Sequence, residues 1–305
     1  MVYKKHKNLF VIVLLSLCIT QYGQSQTTVQ EQLYQNTIKI SGNGNGDTYV
    51  GTASFIRFND VIDSIDIDVI LLNKHLAEKL ETVTLSFNTV NKNQEVVYGD
   101  VVSFEIKDFK NKCLFHPDGV DLAIFPMSEI LKVANDNNTA IFYRAVDDSY
   151  IPNDSIWNSL TIMEDIVMIG YPVGLSDTYN NVPIARVGVT ATMPKLNFEG
   201  NDDFLIDIPI FKGSSGSPVY LFRDPYSYAG SRNGLFIGAG PEIYLLGVQY
   251  SGFSYNESGI VDRNAILMTG GENESTYINI GKVVKSYKIL EFKSIIASII
   301  KANEK

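Results

Sequence analysis

Cysteine is nearly absent from this chain of 305 residues, which has only Cys18 and Cys113. Cys18 lies in an N-terminal segment where three lysines precede an apolar run over residues 9–18, a pattern typical of a cleaved export signal. Cleavage after Ser25 would leave Cys113 as the single cysteine. We therefore predict an exported protein that is stabilised by packing, because one cysteine excludes an intramolecular disulfide.

Long hydrophobic runs and excess positive charge are also lacking. The run at residues 9–18 is about half the roughly 20 residues of a membrane-spanning helix, so we expect no stable membrane insertion after signal removal. The chain has 25 Lys and Arg against 34 Asp and Glu, a net charge of −9, and loss of the three N-terminal lysines lowers it to −12. An acidic surface repels polyanions, and we expect no nucleic-acid partner.

The chain does contain many short β-rich runs separated by polar, Gly, Pro and Asn clusters. This spacing predicts a β-sandwich or β-barrels between residue 51 and about residue 283. Near the C-terminus the period changes, because Ile289, Phe292, Ile296 and Ile299 recur at helical spacing and predict an amphipathic helix. The clearest β-rich runs are residues 82–90, 96–106, 166–169, 187–191, 204–210 and 243–250.

The strongest chemical signal is Ser215, which lies in the run GSSGSP over residues 213–218. A serine hydroxyl becomes a useful nucleophile when a base takes its proton and nearby donors stabilise the oxyanion. Glycine at position 213 allows a tight turn in which the amides of Gly213 and Ser215 point into one space. Most glycine-serine loops are simple turns, so the run indicates a nucleophile with its own oxyanion hole only if a base and an orienting carboxylate lie elsewhere in the chain.

Histidine is scarce as well, and this limits the choice of a base. His6 would leave with the signal segment, so His75, after an apolar run, and His116, in a polar loop, are the two candidates. Asp121 precedes the apolar residues 122–125 and is a candidate orienting carboxylate, whereas Asp118 lies among turn-forming residues. Two histidines and one cysteine have no recognisable ligand spacing, so we expect no metal and no cofactor.

In order and spacing these motifs resemble the trypsin-like serine peptidases of chymotrypsin fold, in the disulfide-free bacterial branch that includes HtrA-type proteases. The gaps of 46 residues from His75 to Asp121 and 94 from Asp121 to Ser215 are close to the family's gaps of about 45 and 93. The matching segments are 51–55 (GTASF), 73–75 (NKH), 120–123 (VDLA), 169–172 (IGYP), 213–218 and 247–252 (GVQYSG).

The resemblance implies a role for each matching residue and an all-β fold of two antiparallel six-stranded β-barrels of chymotrypsin type with a C-terminal α-helix. The implied roles are His75 as general base, Asp121 as its orienter, Ser215 as nucleophile, the Gly213 and Ser215 amides as oxyanion hole, and Tyr250, Ser251 and Gly252 as the strand that pairs with substrate. The predicted boundaries are a signal peptide at residues 1–25, an N-terminal segment at 26–48 and a peptidase domain at 49–305, with barrels at about 49–146 and 159–284 and the helix at about 286–303.

The function that follows is a serine endopeptidase acting on protein or peptide substrates in the periplasm or outside a bacterial cell, with its oligomeric state left open. Ser214 stands where trypsin-type enzymes carry an aspartate that pairs with a new N-terminus, so we expect activity without processing beyond signal removal. Two alternatives remain, a catalytically degenerate domain that binds peptides and an ester hydrolase that uses the same triad.

Overall fold

A computed structural model of the chain describes residues 27–223, 242–255, 261–266 and 276–303. The chain divides into two compact units, Met1–Gln32 and Leu33–Lys305. In the first, residues 27–32 are described, and they begin helix α1 (Val29–Tyr34). Thr28 and Glu31 cap this helix reciprocally, because each side chain accepts a hydrogen bond from the other's backbone N–H. The predicted signal peptide, residues 1–25, lies outside the described residues.

The first half of the second unit is a β-sheet in which β4 alternates buried residues with more exposed ones, whereas β2 and β3 carry continuous buried runs. Its strands pair in the order β5-β4-β1-β2-β3-β7-β6, all antiparallel, and a short β8 pairs with β2 in parallel. The strands are β1 (Thr37–Gly44), β2 (Asp47–Ile62), β3 (Ile65–Leu72), β4 (Thr82–Val90), β5 (Val96–Lys107), β6 (Leu114–Phe115), β7 (Ala123–Pro126) and β8 (Val146–Asp147).

The second half closes on itself. The order β12-β9-β10-β11-β15-β13 is completed by pairing of β13 with β12, which gives a closed six-stranded antiparallel barrel. A seventh strand, β14, pairs antiparallel with the last residues of β13. These strands are β9 (Asp165–Gly170), β10 (Ile184–Thr190), β11 (Asp203–Asp207), β12 (Pro218–Arg223), β13 (Glu242–Tyr255), β14 (Val261–Ile266) and β15 (Thr276–Lys285).

Short helices connect the strands, and a long one follows the barrel. The short helices are α2 (Lys74–Ala77), α3 (Phe109–Lys112), α4 (Met127–Asp136) and α5 (Asp154–Ser159). Helix α6 (Tyr287–Asn303) buries Ile289 and Phe292 completely, as its apolar spacing predicts. Among the helices of the described residues, none is long and apolar enough to span a bilayer.

The predicted fold class is confirmed as all-β, with a closed six-stranded barrel of antiparallel strands and a C-terminal helix. In the first sheet, the described residues show no pairing that joins β5 to β6, so closure of a second barrel stays a prediction. Each sheet covers its own apolar core. The first core includes Phe55, Ile70, Leu72, Leu85 and Phe125, and the second includes Trp157, Phe204, Ile206, Val219 and Leu246.

Replacement of Leu72 by alanine tests the first core. Leu72 is fully buried at the end of β3, so Leu72→Ala leaves a cavity and should lower the free energy of unfolding by about 2–5 kcal/mol. The control is Leu196→Ala, since Leu196 is 60% exposed and its loss should cost less than about 0.5 kcal/mol. Urea denaturation of both variants measures the difference, and equal costs would contradict the packing described for β3.

Candidate active site

His75 lies in the single turn of α2, directly after β3. The turn is anchored by the fully buried Asn73, whose carbonyl accepts from Ala77 N at 3.1 Å and whose side-chain amide donates to the Asp121 carbonyl at 2.9 Å. Because Leu72 at the end of β3 pairs with Ala123 at the start of β7, the residues just beyond these two strand ends come together. Strand pairing thus brings position 75 to position 121.

The side chains of His75 and Asp121 form a double contact. His75 Nδ1 lies 2.5 Å from Asp121 Oδ2, and the His75 backbone N–H donates to Oδ1 at 2.8 Å. The carboxylate therefore holds both the ring and the backbone of the histidine. Only 14% of the His75 side chain and 20% of the Asp121 side chain are exposed. This geometry fixes the imidazole with Nε2 directed away from Asp121, as a general base requires.

The nucleophile loop, residues 211–217, consists of consecutive tight turns that need glycine at two positions. Gly213 and Gly216 have φ of +83° and +89°. A Cβ at Gly213 would lie 2.6 Å from the Tyr171 carbonyl oxygen, and one at Gly216 would lie 1.9 Å from the Thr52 carbonyl oxygen. Both glycines are therefore required by conformation and by close backbone contact.

Thr52 of β2 joins the first sheet to the nucleophile loop. Its backbone N–H donates to the Ser215 carbonyl at 2.9 Å, and its hydroxyl donates to the Gly213 carbonyl at 3.1 Å. The same hydroxyl oxygen accepts from the Tyr171 N–H at 3.0 Å. On the other side, the Gly216 N–H donates to the Gln249 carbonyl at 2.8 Å, which attaches the loop to β13.

The hydroxyl of Ser215 points to the carbonyl oxygen of Tyr250, to which it donates at 3.2 Å. His75 Nε2 is buried and has no hydrogen-bond partner in the described part of the chain. The hydrogen bond between Ser215 Oγ and His75 Nε2 that nucleophilic catalysis requires is thus not formed in this structure. Catalytic hydrogen bonds often tighten only when substrate binds.

The strand predicted to bind substrate is paired on both edges at two of its three positions. Ser251 and Gly252 pair with β15 on one edge and with Ile266 and Ala265 of β14 on the other. An extended peptide can add to a strand only at an open edge. A substrate strand at Ser251 and Gly252 therefore requires β14 to move away, which the sequence did not indicate.

His116, the other candidate base, lies elsewhere. Its side chain is fully buried, with Nε2 3.0 Å from Glu291 Oε2 and the ring edge-on to Phe292 at 5.3 Å between centroids. The Asp118 backbone N–H lies 3.4 Å from its Nδ1. Asp121 therefore contacts His75, whereas the carboxylate nearest to His116 is Glu291 of helix α6.

Arg186 is a residue near the nucleophile that sequence reasoning missed. Its Nη1 donates to the Ser214 hydroxyl at 3.0 Å and to the Pro209 carbonyl at 2.8 Å. Burial lowers the pKa of the guanidinium to about 10, and it remains charged at neutral pH. A cation therefore lies behind the nucleophile loop at Ser214. Arg186 occupies an inward-facing position of β10, between the exposed Ala185 and Val187. A charged residue at an inward-facing strand position is the signal by which the sequence could have indicated it.

A polar cavity of about 640 Å³ lies beside this site and is bordered by both Asp121 and Tyr250. The Tyr250 hydroxyl donates to Asp203 Oδ2 at 2.8 Å. Burial raises the pKa of the Asp203 carboxyl above its ordinary value, and burial likewise raises the pKa of the Tyr250 phenol. The predicted acid and the predicted substrate strand therefore border the same polar cavity. Other residues lining it are Asp118, Glu199, Asp202, Lys282 and Lys288.

No protein-family model matches the sequence, and no curated protein does. Among solved structures, the chain is similar to the HtrA-type protease AlgW with a tripeptide, at 14% identity and a TM-score of 0.44, over 86% of this chain and 60% of that one. It is also similar to a catalytically inactive tobacco etch virus protease complexed with substrate, at 11% identity and a TM-score of 0.42, over 87% of this chain and 86% of the viral one.

A cysteine-to-alanine mutant of tobacco etch virus protease matches at 11% identity and a TM-score of 0.41, over 84% of this chain and 86% of that chain. The chain therefore spans about 60% of the length of the HtrA-type protease. Because these three TM-scores are below 0.5, the all-β fold of this chain rests on its own closed barrel, strand order and terminal helix.

Replacement of Gly216 by alanine tests the contact between the nucleophile loop and Thr52. The new Cβ would meet the Thr52 carbonyl oxygen at 1.9 Å. Gly46→Ala is the matched control, because Gly46 has nearly the same φ, +87°, and no atom within 4 Å of its Cβ position. We expect Gly216→Ala to cost about 1–3 kcal/mol more in free energy of unfolding than the control. If urea denaturation gave the same loss of unfolding free energy for both variants, the close contact between Gly216 and the Thr52 carbonyl would be contradicted.

Proposed function

We propose that the protein is an exported serine endopeptidase that cleaves peptide bonds through an acyl-enzyme on Ser215. The observation that carries the proposal is the double contact of Asp121 with His75, 2.5 Å to the ring and 2.8 Å to the backbone N–H. A carboxylate in this position selects the tautomer of the imidazole and stabilises the imidazolium formed during catalysis. The N-terminal pattern of residues 1–25 supports export.

In the proposed reaction, Ser215 Oγ attacks the peptide carbonyl while its proton passes to His75 Nε2. The C–N bond breaks as His75 returns that proton to the leaving amine, and the acyl group stays on Ser215. Water then attacks the ester with His75 again as base, which releases the acid and restores the hydroxyl. The amides of Gly213 and Ser215 are assigned to the oxyanion, and the left-handed conformation of Gly213 supports this role.

Two changes from the present geometry are required. The Ser215 hydroxyl must leave the Tyr250 carbonyl and bind His75 Nε2, which gives this buried nitrogen the partner it lacks among the described residues. Strand β14 must also leave the edge of Ser251 and Gly252 before a peptide can pair there. Binding of the substrate backbone at this edge provides the interaction that offsets both changes.

The second candidate function is a protease-like domain that binds peptides without cleaving them. The specific observations in its favour are the unformed Ser215–His75 hydrogen bond and the occupied substrate edge. An ester hydrolase would use the same residues and differs in substrate alone. A hydrolase of either kind reacts covalently at Ser215, whereas a binding module does not, so covalent labelling of Ser215 distinguishes them.

A fluorophosphonate probe tests the nucleophile. The wild-type protein should be labelled at Ser215 with no proteolytic cut beyond signal removal, and Ser215→Ala and His75→Ala should abolish labelling. Loss of a triad residue lowers turnover by about 10⁴–10⁶. Mass spectrometry of the labelled protein locates the adduct and reads the N-terminus.

The control for this experiment is Ser86→Ala, because Ser86 lies in β4 and its hydroxyl forms a hydrogen bond with Ser103 on the neighbouring strand. This variant should be labelled like the wild type. A folded wild-type protein that is not labelled, yet binds peptides equally well after Ser215→Ala, would establish the binding module instead.

Release of β14 should increase peptide turnover. Backbone N–H groups of successive strand residues point to opposite sides, so one of Asn264 and Ala265 points towards β13. Proline has no N–H to donate. The double variant Asn264→Pro/Ala265→Pro should therefore unpair β14 and raise kcat/KM for a peptide substrate by about tenfold.

The internal control is the rate of fluorophosphonate labelling, since a small probe needs no strand pairing. We expect this rate to change less than twofold in the double variant. Unchanged or lower peptide turnover together with normal labelling would show that β14 does not restrict the substrate edge.

A further inference from the structure

A second cluster of reactive side chains lies away from the nucleophile, between the loop that follows β6 and helix α6. His116 and Asp118 belong to the loop, and Glu291 belongs to the helix. One ligand atom from each of these three residues lies within 4.8 Å of the other two. Residues 116 and 291 are far apart in sequence, so the helix must dock on the sheet before these three side chains converge.

His116 has an unsatisfied polar atom that points into this cluster. Its side chain is completely buried, and Nε2 lies 3.0 Å from Glu291 Oε2. This contact is within ion-pair distance, yet Nε2 has no hydrogen-bond partner in the described part of the chain. A buried polar atom without a partner carries a free-energy cost. An electrophile bound to Nε2 would remove that cost.

The cluster has the donor types and the access that a transition-metal ion needs. One imidazole nitrogen and two carboxylates are common ligands of zinc and related divalent ions. His116 is buried and held edge-on by Phe292, whereas Asp118 is exposed and the Glu291 side chain is 38% exposed. Asp118 also borders the 640 Å³ cavity. An ion can therefore enter from solvent and keep water in an open coordination position.

We propose that His116 Nε2, Asp118 and Glu291 form a binding site for a divalent transition-metal ion of the zinc type. Metal binding takes the lone pair of Nε2 and places the ring proton on Nδ1. The contact given up is the one from the Asp118 N–H to Nδ1, which at 3.4 Å is long for a hydrogen bond.

Lys288 is the internal competitor of the metal. Its Nζ lies 2.5 Å from Glu291 Oε1 and 3.7 Å from Asp202 Oδ2. A bound ion needs the Glu291 carboxylate and is repelled by the ammonium, so Lys288 must turn towards Asp202 when the metal binds. This predicts that the affinity for metal increases when the charge of Lys288 is removed.

Occupancy of this site would reach the loop that carries Asp121. The His116 N–H donates to the Leu122 carbonyl at 3.0 Å, which closes the loop over residues 116–122. A metal that joins this loop to α6 would restrict the motion of the loop. This consequence rests on the proposed function, whereas metal binding itself does not.

Isothermal titration calorimetry with zinc chloride tests the site, on protein purified without a histidine tag and treated with a chelator. We expect one zinc ion per chain, with affinity reduced at least tenfold in Asp118→Asn and in Glu291→Gln. Lys288→Met should increase the affinity severalfold. Thermal unfolding should show a zinc-dependent rise in Tm that both carboxamide variants reduce.

Two controls distinguish this site from others. Glu129→Gln changes an exposed carboxylate on α4 and should leave zinc affinity unchanged, and Ser215→Ala should bind zinc like the wild type because the site is independent of the nucleophile. His116→Gln should also lose binding; if it fails to fold, the two surface variants decide. Absence of stoichiometric binding, or binding that Asp118→Asn and Glu291→Gln leave unchanged, would overturn the proposal.

Discussion

The geometry of the nucleophile loop depends on one fully buried side chain, Thr52, in the strand that faces it from the first sheet. Its N–H and hydroxyl together hold the carbonyls of Ser215 and Gly213, and its oxygen accepts the Tyr171 N–H. These groups are shielded from water, so each hydrogen bond left unmade would cost its full desolvation penalty. The first sheet therefore sets the conformation of the loop that carries the candidate nucleophile.

This arrangement explains the glycines on either side of Ser215. A loop whose carbonyls turn towards Thr52 needs positive φ at positions 213 and 216, and the Thr52 carbonyl leaves no space for a Cβ at Gly216. The His75–Asp121 pair is held by different means, the pairing of β3 with β7 and the amide of Asn73. The candidate base and the candidate nucleophile are thus supported by different strands of the first sheet, β3 with β7 for His75 and β2 for the loop of Ser215.

Much of the site follows from local patterns in the chain. The alternation in β4 and β9, the helical period of α6, and the glycine-flanked serine all reflect preferences that act over a few residues. Asp121 could be singled out because an acid next to the apolar run 122–125 must find a partner. Arg186 was missed because one arginine among strand residues gives no indication of the carbonyl and hydroxyl that it contacts from 23 and 28 positions away.

The sequence by itself determined the all-β class, the terminal helix and the choice of Ser215 as the candidate nucleophile, because periodicity and turn-forming residues act locally. The family resemblance already implied His75 as the base. Only the tertiary structure shows that Asp121 contacts His75, because the pairing of β3 with β7 brings positions 121 and 75 together. It also decided that β14 covers the predicted substrate edge and that His116 faces Glu291. The contacts of His75 with Asp121 and of His116 with Glu291 join segments distant along the chain, and their geometry is set by packing of the sheets and α6, which no local pattern encodes.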